Sequence, residues 1–136
     1  MPTLSKWMLR TALFYLMLGF SLGLLLMLAK IRWISPRVWI LQPFHIECLQ
    51  MGWLFHLALG TAYWIFPRIK RKRPRSSLAW AAFGLINVGI GFVCINMLGT
   101  GGEWLLLARL SEFFALLLFA VHLWPRIKSF GATTQK

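Results

Sequence analysis

"HIECLQMGWLFHLALGTAYWIFPR", residues 45–68, decides the fold. The run is apolar enough to cross a bilayer as a helix. Yet it holds two of the chain's three histidines, His45 and His56, and one of its three acids, Glu47. Ionisable groups are costly in hydrocarbon, so those found there face protein, a cofactor or a partner. The stretch therefore poses both the architectural and the functional question.

Outward from it, the pattern repeats. The chain has 136 residues, 59% of them hydrophobic, and a mean hydropathy of +0.68. A soluble domain of this size exposes too much of its surface to hide so many apolar residues. They come in long runs and not in periodic stripes, which predicts membrane spans. Four are expected, at about 7–29, 44–66, 78–98 and 104–124, each near the ~20 residues that cross hydrocarbon. The fold class is all-α: an integral membrane four-helix bundle made of two consecutive helical hairpins. Residues 1–128 form one domain, and 129–136 form a short polar tail. The first run is too long for a signal-peptide core and ends in basic residues with no small-residue cleavage site, so it reads as a span of the mature protein.

The net charge of +12 invites a nucleic-acid reading, above all at RIKRKRPR (Arg68–Arg75). That segment is only a loop between two spans, and retention of basic loops on the cytoplasmic side explains it. No nucleic-acid partner is expected; the partner is lipid. With both termini and the 68–75 loop in the cytoplasm, eleven bases lie inside and three outside. The expected location is the bacterial cytoplasmic (inner) membrane. Trp7, Trp33, Trp39, Trp64, Trp80, Trp104 and Trp124 fall near span ends, as interfacial belts do. Cys48 and Cys94 fall at similar depth and read as free thiols, with a bridge as the alternative. There is no nucleotide loop, no CxxCH haem attachment and no zinc spacing.

WIFPRIK (Trp64–Lys70) closes span 2 and HLWPRIK (His122–Lys128) closes span 4. The hairpin is thus either an internal repeat or two convergent endings. In each, the proline is expected to stop the helix and the Arg and Lys to anchor it at the headgroups. Gly19 and Gly23 form a GxxxG in span 1, and Gly84, Gly89 and Gly91 thin span 3, all read as helix-packing positions.

Depth decides which intramembrane polar groups can meet. At ~1.5 Å per residue, His45 lies about 14 Å outside the midplane, and His56 about 2 Å inside it. Arg109 lies about 7 Å outside, Glu112 near the midplane, and His122 about 13 Å inside. Two cross-helix pairs are expected, Glu47 with Arg109 and His56 with Glu112, together with an i, i+3 pair between Arg109 and Glu112. On this reading the charges only hold the bundle. A second reading starts from the face. His45, Gly52, His56 and Gly60 are spaced by seven, four and four, one stripe of an α-helix. Histidine ligates haem iron and glycine leaves room for a flat macrocycle; alternatively, the glycines let another helix approach. No two histidines share a depth, so a bis-histidine haem needs a second copy of the chain or another subunit. A third reading, proton or solute conduction through His56, Glu112 and Glu47, is disfavoured by prolines confined to span ends.

The motif His45…Gly52…Gly60-Thr-Ala-Tyr-Trp-Ile-Phe-Pro67-Arg resembles the helix 2 region of the heme-copper oxidase catalytic subunit I superfamily, in its cbb3-type and nitric oxide reductase-like forms. The resemblance covers about 25 residues of 136; FALLLFAVHLWPRIK near the C-terminus fits more loosely. It implies that His45 is an axial ligand of a low-spin haem b; on the stripe reading Gly52, His56 and Gly60 lie along the cofactor face. The family's other ligands come from later helices, and three histidines cannot build a haem-copper centre. The chain is therefore expected not to be a self-sufficient oxidase. It reads as an accessory or haem-binding redox subunit of electron transport, in a homodimer or a larger respiratory complex. A non-redox interaction subunit with no cofactor is the alternative.

Overall fold

The computed structural model describes residues 1–66, 75–99 and 102–131, and the side chains up to residue 127. The described residues are helical, with no strand among them. Four rods run back and forth. The first is α1 (Thr3–Lys30). After a 3-10 turn at Pro36–Leu41, the second rod runs through α2 (Gln42–Glu47), a π-helical stretch (Cys48–Phe55) and α3 (His56–Ile65). The third is α4 (Ser76–Asn96) and the fourth α5 (Glu103–Gly131). Three helices, α1, α4 and α5 up to Ile127, are long and apolar enough to cross a membrane. The second rod is broken in winding but not in direction, since Cys48 and His56 at its joints keep right-handed helical dihedrals.

The rods end where local chemistry stops them. Arg32 takes a left-handed φ of 62°, and Arg32 N–H and Trp33 N–H donate back to Ala29 and Leu28. This closes α1 with the paired hydrogen bonds of a Schellman ending, without the usual glycine. Ser35 Oγ accepts from Arg37 N–H at the start of the 3-10 turn, with Pro36 at its first position. Phe66 is extended (ψ 135°), as expected of a residue before proline. Gly99, with φ +78°, turns the chain after α4, a conformation that costs glycine nothing.

Proline 125 departs from expectation. It lies inside α5, which runs on to Gly131. The first three residues of the polar tail expected at 129–136 are thus helical, and the rest lie outside the described residues, as does the 67–74 loop. The two WPRIK-like endings therefore differ: one rod stops before its proline and the other passes through it.

Within each hairpin the rods are antiparallel and interlock through small residues. The would-be Cβ of Gly60 meets Met8, that of Gly52 meets the Tyr15 ring, that of Gly19 meets Leu49, and that of Gly23 meets His45. Ser5 Oγ donates to Gly60 O at 2.6 Å. In the second hairpin Gly89 lies against Glu112 and Ala108, and Ser111 Oγ donates to Leu85 O. Gly84 and Gly91 face open space, so of the α4 glycines only Gly89 is a packing position. Leu4, Met8, Tyr63, Ala79, Ala82, Ile86, Ile90, Ala115 and Phe119 form the common core.

The outer surface carries many large apolar side chains. Phe14, Met17, Phe20, Leu106, Phe113 and Phe114 are exposed, beyond what a water-soluble monomer tolerates as one surface. Trp7, Trp64, Trp80 and Trp124 are exposed near the end where the chain starts, and Trp33 and Trp39 near the other.

Candidate functional site

Each of the three histidines is placed by a backbone carbonyl, and they differ in what the second ring nitrogen meets. His56 is fully buried. Its Nδ1–H donates to Met51 O at 2.9 Å, a carbonyl five residues back in the π-helical stretch. Its Nε2 accepts from the Asn87 side-chain amide at 3.1 Å. That amide also donates to Phe83 O at 2.8 Å, and Asn87 Oδ1 accepts from Tyr15 O–H at 3.0 Å. Three rods are joined by this chain, and every polar atom in it has a partner. A buried network so satisfied has no lone pair to spare for a metal.

His122 repeats the pattern at the other end of the bundle. Its Nδ1–H donates to Arg75 O, its Nε2 faces Arg126 at 3.2 Å, and its ring stacks on Tyr63. Arg126 is fully buried and does not anchor the helix at headgroups as expected. It reaches across to Tyr63 O and Phe66 O. Those carbonyls end the second rod and have no helical donor above them, so a cation at that spot satisfies them.

His45 is different. Its Nδ1–H donates to Gly19 O at 2.8 Å, and among the described residues Nε2 has no hydrogen-bond partner. A carbonyl can only accept, so Nδ1 carries a proton, and in the neutral ring the lone pair is then on Nε2. This is how proteins orient a histidine that binds metal: the far nitrogen is tied to a carbonyl and the near one is left open. The ring packs on Gly23, where a Cβ would fall 2.9 Å from its Cε1. Beside it opens an apolar pocket of about 680 Å³, lined among others by Phe20, Gly23, Met27, Trp39, Gln42 and His45. The volume lies within the range of small-molecule and cofactor pockets, ~300–1,000 Å³. Gly23 makes room for the ring itself, and the pocket with its apolar walls lies beside it.

The rest of the expected cofactor stripe has no such opening. Gly52 is covered by the Tyr15 ring, 2.5 Å from a would-be Cβ, and Gly60 by Met8 and the Ser5 backbone. α1 occupies the space that a macrocycle would need. The stripe does share a face, since His45, Gly52 and Gly60 all turn toward α1, and at Gly52 and Gly60 that face serves close helix packing.

The charged residues meet on the other side of the second rod. Arg109 Nη2 donates to Glu47 Oε2 at 2.8 Å and Nη1 to Glu112 Oε2 at 2.6 Å. Both carboxyl side chains are buried and the arginine side chain is half exposed. The expected His56–Glu112 pair does not form, because Asn87 takes the imidazole and Arg109 the carboxylate. Equal depth was satisfied; the bearing around the helix was not. Cys48 and Cys94 are both free. No group of three or more metal-ligating side chains exists among the described residues, so any metal held by this chain alone would have few protein ligands.

Sequence reasoning missed Asn87, Tyr15 and Arg126. Asn87 had a visible signal: it is a lone amide in the middle of the apolar run LAWAAFGLINVGIGFV. Such a residue needs a buried partner. No protein family, curated protein or solved structure matches this chain.

Proposed function

We propose that the chain is a small multi-pass protein of the bacterial cytoplasmic membrane that binds a b-type haem through His45 Nε2 and serves as an accessory redox subunit. The observation behind this reading is the inequality of the histidines. His56 and His122 have both nitrogens engaged, whereas His45 keeps one open beside an apolar pocket. The resemblance of residues 45–68 to the heme-copper oxidase helix that carries an axial histidine points to the same residue. Bound there, the haem would supply one-electron chemistry. The chain's own task is to fix the ring through Gly19 O, to wall the site with Phe20, Met27 and Trp39, and to exclude water. The second axial position would be filled from outside the chain, by His45 of a second copy or by another subunit. Basic-loop asymmetry supports cytoplasmic termini, which puts His45 toward the outer face.

A non-redox interaction subunit is the second reading, favoured by one observation: Glu47, Glu112 and Arg126 are all partnered within the bundle. The two separate cleanly. The protein is produced with haem supplied, purified in detergent, and its reduced-minus-oxidised absorbance recorded. A b-type band lost in His45→Ala supports haem binding; a colourless wild type, folded by circular dichroism, leaves the interaction subunit standing.

A further inference from the structure

Two polar side chains on the outward side of the bundle are satisfied where they stand. Ser21 Oγ donates back to Met17 O, and the half-exposed Arg109 is held by Glu47 and Glu112. Gln50 is not. It is exposed on the second rod, and among the described residues its side-chain amide has no hydrogen-bond partner. Five residues beyond His45, it lies about 7 Å deeper, inside a hydrocarbon core with a half-thickness of ~15 Å. Two methylenes are too few to lift the amide to the headgroups, as the longer stems of Lys and Arg allow. An amide left bare in hydrocarbon is costly, and in membrane helices such groups bond across to another helix.

That helix does not come from this bundle. Each of the other rods already meets the second rod on a different side: α1 packs on Gly52 and Gly60, Asn87 of α4 holds His56, and Arg109 of α5 holds Glu47. Ile46 and Leu54, four residues to either side of Gln50, are exposed with it. A spacing of four stays on one face in both α and π winding. The outward face of the rod is therefore an apolar stripe with one amide at its centre.

The chemistry of that stripe selects its occupant. A carboxamide carries both donors and acceptors, so it is its own complement. A two-fold axis along the membrane normal sets every residue level with its own copy, so Gln50 meets Gln50 without any change of depth. Ile46 also lines the His45 pocket, so the stripe and the pocket are continuous. We propose that the Ile46–Gln50–Leu54 face of the second rod docks on the same face of a second copy of this chain, with the two Gln50 amides hydrogen-bonded across the axis. The same axis brings a second His45 to the level of the first, beside the joint surface. The inference rests on the membrane placement proposed above and deepens that reading by naming the partner and its surface; the contact itself needs no cofactor.

The test uses the full chain in lipid vesicles with no haem added. Donor- and acceptor-labelled molecules are mixed, and energy transfer is followed as lipid dilutes the protein. Wild type should titrate as a dimer. Gln50→Leu should raise the dissociation constant by about 5–30-fold, the scale of hydrogen bonds between membrane helices, and Gln50→Asn should restore part of the loss. Ser21→Ala should leave the constant unchanged. Cysteine cross-linking maps the face in chains that also carry Cys94→Ala: Ile46→Cys and Leu54→Cys should form a disulfide between copies, whereas Phe14→Cys and Phe114→Cys, exposed on α1 and α5, should not. Folded wild type that shows no transfer at any dilution overturns the proposal, and some other protein then covers the stripe. A dimer indifferent to Gln50→Leu overturns it too, as does cross-linking through Phe14→Cys or Phe114→Cys in place of Ile46→Cys and Leu54→Cys. The haem reading fails separately: a dimer that stays colourless when haem is supplied ends that reading and leaves this one, and a haem-binding monomer does the reverse.

Discussion

His45 and His56 sit on one rod, eleven residues apart in sequence, and the bundle treats them oppositely. Each gives its Nδ1 proton to a backbone carbonyl. Beyond that, the neighbour across the interface decides. Opposite His45 the first rod presents Gly23 and leaves a pocket. Opposite Gly52 and His56 it presents Tyr15, which fills the gap and carries a hydroxyl that Asn87 relays to His56. A histidine in a membrane helix is thus structural or available according to the bulk and polarity of the facing side chain. Its own sequence context does not say which.

The comparison breaks most sharply at the ligand. His45→Ala should remove the haem band entirely, while His56→Ala should keep haem per folded molecule. The latter should instead destabilise the bundle by about 1–3 kcal/mol, because the Asn87 amide and Met51 O lose a buried partner; denaturant or SDS titration reads this. Next comes the covered glycine. Gly52→Ala forces a methyl into the Tyr15 ring and should cost about 1–3 kcal/mol through overpacking. Gly23→Ala pushes on the His45 ring and should act on the cofactor, weakening haem binding by about 10–100-fold, the scale on which residues that orient a metal ligand act. The smallest effect belongs to Gly84→Ala. It meets nothing within 4 Å and should leave stability unchanged or raise it by up to about 1 kcal/mol through helix propensity.

Much of the architecture could be read from residues alone. The apolar runs located all four rods to within about four residues at every end but the last, where α5 runs on to Gly131, past the expected 124; a long apolar run is a signal that subtle packing does not blur. Depth arithmetic brought Arg109 to both Glu47 and Glu112, since rise per residue is nearly invariant. What depth cannot give is bearing. His56 and Glu112 face different neighbours, Asn87 and Arg109, and the second rod winds through a π-helical stretch at Cys48–Phe55. Nothing in CLQMGWLF announces that wider winding. Pro125 misled for a related reason: a proline removes one helical hydrogen bond but need not end a helix that is packed against its neighbours. Arg126 looked like a headgroup anchor because its basic flank did. Its burial comes from bare carbonyls at the end of another rod, a partner that local sequence cannot reveal.

The central claim is that one imidazole nitrogen in this chain, His45 Nε2, is open to a ligand. Nitrogen NMR of the protein labelled at histidine, recorded before and after titration with haem, tests it directly. The account predicts three rings that each carry a hydrogen-bonded Nδ1 proton, of which only the His45 signals shift or vanish as haem binds. If haem leaves His45 untouched, or perturbs His56 or His122 in its place, the account is contradicted.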